Sequence, residues 1–105
     1  MQDKPPKRFT KFSEDHPAVA KAYSALGDAV HHAGPLDEKS RALVKIAISG
    51  ASRQEGGFHA HVRKARLLGI SKEEMQHVVL LTLPTLGFPT MMMLLAWIDD
   101  VFDKK

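Results

Sequence analysis

The residues best placed to do chemistry lie in one short stretch, Arg53-Gln54-Glu55-Gly56-Gly57-Phe58-His59-Ala60-His61-Val62-Arg63. It concentrates a carboxylate, two imidazoles and two guanidinium groups. His61 falls on the apolar side of a helical pattern. A partly buried imidazole near a carboxylate is tuned towards neutral pH and can act as a general acid–base. Glu55 precedes His61 by six residues, so the two are not neighbours on one continuous helix. They converge only if the Gly56-Gly57 pair bends the backbone. In that arrangement His61 is the acid–base and Glu55 its orienting or proton-relaying partner. The same imidazole could instead donate to a backbone carbonyl and fill space, and the sequence alone leaves both readings open.

Arg53, Arg63 and Lys64 could hold a substrate carboxylate, since the planar arginine fork pairs bidentately with such a group; the alternative is a solvated cationic face. His77 is a further candidate for substrate binding, either exposed or turned towards His61. No metal site is expected. His59-x-His61 places its two imidazoles on different helix faces, about 200° apart, and neither His-Glu-x-x-His nor a cysteine partner is present. His31-His32 is expected to interact with the negative end of the first long helix or with solvent.

The elements that must position these groups are all helical. Ser13 is a candidate cap for a helix starting near Glu14, with Pro17 in its first turn. Its apolar stripe is Val19, Tyr23, Leu26 and Val30, and Gly34-Pro35 stops it. Asp37 caps the next helix, which carries Leu43, Ile46, Ala47 and Gly50 on one face. Glu55-Gly56-Gly57 interrupts the pattern. A third helix has Phe58, His61, Val62, Ala65 and Leu68 on one side and His59, Arg63 and Arg66 on the other, ending at Gly69 in a left-handed C′ position. Ser71-Lys72-Glu73-Glu74 is a capping box for a fourth helix that runs to Pro84. Pro89 opens a fifth, from Thr90 to about Phe102. No run alternates like a strand bounded by hairpin turns, so the fold class is all-α, a compact bundle of about five to six helices.

Residues 1–12, with Pro5, Pro6, Lys4, Lys7, Arg8 and Lys11, are expected to form a flexible arm, and 13–105 a single helical domain. The length of 105 residues supports one domain. Fifteen Lys and Arg against 12 Asp and Glu give +3, too small and scattered an excess to argue for nucleic acid. Arg63, Lys64 and Arg66 come with neither a helix-turn-helix signature nor interleaved aromatics. The absence of cysteine excludes disulfides, thiolate metal sites and a thiol nucleophile. The longest strictly apolar run, from Met91 to Ile98, is eight residues, against about 20 for a spanning helix. With no signal-peptide pattern at the start, a soluble cytoplasmic protein without membrane contact is expected. The fourth and fifth helices are apolar nearly all round. Such helices need cover on every side, so they are expected to form the interface of a homo-oligomer, with Met91, Met92 and Met93 filling core or interface.

Taken in order, Leu36-Asp37-Glu38-Lys39-Ser40-Arg41, Ile46-Ala47-Ile48, His61-Val62-Arg63-Lys64-Ala65, Gly69-Ile70-Ser71-Lys72-Glu73-Glu74-Met75 and Gly87-Phe88-Pro89 resemble the carboxymuconolactone decarboxylase family, which also contains alkyl hydroperoxidase D. The resemblance runs from about residue 36 to residue 97. It implies an alkyl hydroperoxidase D-like subunit assembled with itself as a trimer or hexamer. The hydroperoxidase branch uses a Cys-x-x-Cys pair and a His four residues later. With His61 as that His, the cysteines fall on Gln54 and Gly57 and the relay glutamate on Ala42, so thiol peroxidase chemistry is excluded. The decarboxylase branch is similar at Glu55, Phe58, His61, Arg63 and Gly87-x-Pro89, while its further His, second Glu and Tyr fall on Gly56, Gly57 and Thr85. The resemblance implies a lyase acting on a small carboxylated lactone or related acid, without a cofactor. His61 and Glu55 would be catalytic, and Arg53, Arg63 and His77 would bind the substrate. The alternative is a non-catalytic oligomeric or small-ligand-binding homologue.

Overall fold

A computed structural model describes residues 7–103. Among them every regular element is a helix: α1 (Lys7–Asp15), α2 (Pro17–His31), α3 (Glu38–Ala51), α4 (Glu55–Leu67), α5 (Lys72–Leu80), the single turn α6 (Leu83–Leu86) and α7 (Phe88–Phe102). None is long and apolar enough to cross a membrane. The chain divides into two compact units between Leu36 and Asp37, where the sequence reads as one domain from residue 13.

The first unit is α1 and α2. Residues 7–12, assigned from the sequence to a flexible arm, are helical; residues 1–6 of that arm lie outside the described residues. Ser13 caps nothing. It lies inside α1, where its Oγ donates to the Phe9 carbonyl at 3.1 Å. The break comes instead at His16, because Pro17 has no N–H to continue α1 but suits the first position of a new helix. The Phe12 and His16 rings meet in a tilted arrangement at 5.4 Å across that junction. On α2 the stripe of Val19, Tyr23, Leu26 and Val30 is present at the expected spacing and is exposed along its length.

The second unit is α3 to α7, and its local signals behave as the residues dictate. Asp37 accepts from the Ser40 N–H at 2.8 Å and caps α3. That bond, reinforced by Arg41 and Lys39, holds its carboxyl below the usual range. Ser71 and Glu74 form the reciprocal capping box at the start of α5. Glu74 also pairs with Lys39, and the two effects lower its pKa to about 2. Gly69 has φ +86°. Its N–H donates to the Arg66 carbonyl, and the Ile70 N–H to that of Ala65, the paired closure in which glycine avoids the Cβ penalty of a left-handed residue. Buried Ile70 then covers the end of α4.

The core is Ile46, Phe58, Val62, Met75, Val79, Leu94 and Ile98, all essentially without exposure. Phe58 is its largest member and packs against Trp97 at 5.7 Å. Gly50 favours this packing: a Cβ there would lie 3.1 Å from both the Phe58 ring and Leu94 Cδ1, tighter than most packed contacts, so those side chains would have to give way. At the far end of α7, Lys72 bridges Asp99 at 3.1 Å and Asp103 at 3.2 Å. These bonds raise the lysine's pKa. Arg66 donates to the Val101 carbonyl at 3.0 Å and lies over the Phe102 ring.

Pro84 does not close a long helix. α5 stops at Leu80, and Pro84 sits in the separate turn α6, which ends at Gly87 with φ +94°. An open groove of about 390 Å³ runs between α3, α5 and α6, with Leu43, Val44, Ala47, Val78, Leu81 and Leu86 among its walls. Phe58→Ala is expected to cost about 3–5 kcal/mol, Gly50→Val about 1–3 kcal/mol and Ser71→Ala about 1 kcal/mol. Urea unfolding followed by circular dichroism reads all three, and wild-type stability for Phe58→Ala would show that this ring does not anchor the unit.

Candidate functional site

The stretch from Arg53 to Arg63 spans the elbow between α3 and α4. The Gly56-Gly57 pair does not bend it. Both glycines belong to the first turn of α4, which starts at Glu55. The first-turn amides of a helix have no carbonyl within it to bond, so glycine costs less there than in mid-helix. The turn is made one step earlier. Arg53 takes φ +58°, the left-handed region, as the one non-glycine residue among those described to do so. Its guanidinium donates to Thr90 Oγ1 at 3.0 Å and reaches Met93 Sδ at 3.6 Å, tying the elbow to the start of α7.

A continuous α4 decides which groups meet. Six residues along a helix are about 9 Å of rise and 120° of rotation, so Glu55 and His61 do not face each other. His61 is half-buried on α4. Burial, followed by the positive charges of Lys64 and Lys45, lowers its pKa from 6.5. The imidazole is therefore neutral at pH 7, a base in a cationic setting. Arg63, two residues on and also half-buried, projects about 200° away from His61. Arg53 is committed to Thr90 and Met93. His77 is an exposed residue of α5 and is not among the charges acting on His61. His61 is thus a half-buried imidazole under the positive charges of two lysines. The cation that joins it from another helix is Lys45 of α3, which the sequence gave no local reason to choose.

Glu55 joins a different group. It lies four residues before His59, hence on the same face of α4. His59 Nε2 is 3.1 Å from Asp100 Oδ2 on α7. One donor atom from each of Glu55, His59 and Asp100 falls within 4.8 Å of the others, so these three could hold a metal ion. His59 also meets the Trp97 ring edge-on at 6.1 Å. The local signal was the i, i+4 pair of Glu55 and His59; Asp100, 41 residues from His59, had none.

The match to known proteins is at the level of the whole chain and not of any single residue. The carboxymuconolactone decarboxylase family model fits residues 17–100. The chain belongs to that family. It is 34% identical over 59 residues to an uncharacterized protein of Haemophilus influenzae, covering 56% of this chain and 52% of that protein. The chain thus spans about half the length of this relative. No solved structure matches.

The depressed pKa of His61 has a signed consequence for stability. The folded state holds this proton less tightly than the unfolded chain, which binds it with a pKa near 6.5. The stability contribution is therefore full above pH 6.5 and falls as the pH drops through 6.5 towards the folded value. Asp37 and Glu74 add their own losses lower, below their ordinary values of 3.8 and 4.5. An NMR titration of the imidazole is expected to give a midpoint below 6.5, and His61→Gln is expected to flatten the melting temperature between pH 7.5 and 5.5. A midpoint above 6.5 would reverse this electrostatic picture.

Proposed function

We propose that this family member is a lyase that removes CO₂ from a small carboxylated lactone or related acid, with His61 as its acid–base. The observation that carries the reading is the half-buried imidazole whose pKa is lowered by burial and by the charges of Lys64 and Lys45. An anionic substrate drawn to the two lysines brings the negative charge that this cationic setting lacks, and so raises the proton affinity of His61. Loss of CO₂ breaks the carbon–carboxylate bond and leaves its electron pair in the conjugated lactone as an enolate. The cations lower the energy of that charge as it develops. The imidazolium then gives its proton to the carbon and is reprotonated from water, so that one carboxylate and one proton become CO₂ and a C–H bond. Glu55 and Arg53 take no direct part in this version. Arg63, turned to the opposite side of α4, takes no part either, and the exposed His77 is left as a candidate for a substrate contact.

A second reading is a non-catalytic binding homologue. It is favoured by the separation of Glu55 from His61, which leaves the imidazole without the carboxylate partner expected from the sequence. In either case we propose self-association, as a trimer or hexamer, through the open groove beside α5 with exposed Val44, Leu81 and Leu86 on its walls; Met91, Leu94 and Ile98 of the last helix, expected from the sequence at that interface, are buried in the unit's own core.

CO₂ release from a panel of carboxylated lactones is expected to fall about 10²-fold or more in His61→Gln, while Lys45→Met raises KM. Equal release by wild type and His61→Gln would end the catalytic assignment. Binding of a panel member without turnover, seen by native mass spectrometry, would select the second reading. Sedimentation velocity is expected to give a trimer or hexamer, and a monomer at micromolar concentration would remove self-association.

A further inference from the structure

We propose that Glu55, His59 and Asp100 form a binding site for a divalent transition-metal ion, of the zinc or manganese class, on the side of α4 away from His61. The inference rests on side-chain geometry and is independent of the acid–base reading. His59 Nε2 and Asp100 Oδ2 are 3.1 Å apart. That is close to the roughly 3.4 Å edge of a tetrahedron with metal–ligand bonds near 2.1 Å. A Glu55 carboxylate oxygen completes the triangle within 4.8 Å. Glu55 is exposed at the first position of α4, so a small rotation about its own side-chain bonds closes the remaining gap.

The donor set selects the class of ion. One imidazole nitrogen and two carboxylates suit zinc, manganese or iron better than calcium or magnesium, which prefer oxygen alone. Two negative charges balance a divalent cation. Three protein ligands also leave at least one coordination position for water or an added anion.

The surroundings hold the ligands in place. The His59 side chain is only 20% exposed, and its ring stands edge-on to Trp97, itself packed on buried Phe58. The neighbouring carboxylate is occupied elsewhere: Asp99 is held by Lys72 at 3.1 Å, which leaves Asp100 to face His59. Nothing lies within 4 Å of the Cβ position at Gly56, so the approach beside Glu55 is open. Arg63 is the charge that competes, because it follows His59 by four residues on the same side of α4. Its removal is expected to tighten binding.

Isothermal titration of the full chain with zinc chloride, and separately with manganese chloride, tests the site. One equivalent of at least one ion is expected to bind, with a matching rise in melting temperature. His59→Ala and Asp100→Asn are each expected to weaken binding at least tenfold. Asp99→Asn and His61→Gln are expected to keep the wild-type affinity, and Arg63→Gln to increase it. Circular dichroism confirms that each variant is folded. Because His59 and Asp100 lie at the rim of the core, Glu55→Gln, which touches no packing, provides a second measure and is also expected to weaken binding. No binding of either ion at millimolar concentration overturns the proposal. So does stoichiometric binding that survives both His59→Ala and Asp100→Asn, which would place the ion elsewhere. Loss of CO₂ release in His61→Gln with metal binding intact would keep the two sites separate.

Discussion

The burial of Phe58 sets the rotation of α4, and almost every functional statement depends on that rotation. With the ring sealed between Gly50, Leu94 and Trp97, the helix cannot roll. Val62 and Ala65 follow into the core one and two turns later. The polar residues between them are then sorted by register alone. Glu55 and His59 go to the side bordered by Asp100, and His61 goes to the side where the charges of Lys45 and Lys64 act on it. Two histidines only two residues apart thereby acquire opposite electrostatic surroundings, one beside carboxylates and one among cations.

Local signals were the legible part of the sequence. Asp37, the Ser71 and Glu74 pair and Gly69 each act within a few residues, so their roles follow from hydrogen-bond supply and backbone sterics without reference to the rest of the chain. Ser13 failed because a cap is only a preference, whereas a proline without an N–H is a prohibition, and Pro17 decided the boundary. Gly56-Gly57 was misleading for a related reason. Low helix propensity predicts a break there, yet the burial of Phe58 immediately afterwards draws the chain into helix from Glu55 onwards. Tertiary packing outweighed a propensity cost that is below the mid-helix value of about 1 kcal/mol per glycine.

The candidate site was legible in proportion to how local it is. His61 was visible as an imidazole on an apolar stripe. Its partner was not, because Lys45 belongs to a different helix and its identity depends on how α3 crosses α4. The pairing of His59 with Asp100 likewise exists only once α7 has folded back along α4. The match to the carboxymuconolactone decarboxylase family extends over residues 17–100, which includes α2 to α6 and most of α7. The chain has no cysteine and so carries no thiol chemistry of its own.

Arg53 balances two opposed tendencies at a single residue. Its backbone sits where glycine is at ease and a side chain is strained by roughly 1–2 kcal/mol, while its head group reaches Thr90 and Met93. A glycine would relieve the main chain and cut the strut; a lysine would keep the strain and lose the fork. The elbow is thus a strained turn fastened to α7 by its own side chain, so the residue that carries the strain also carries the contact that offsets it.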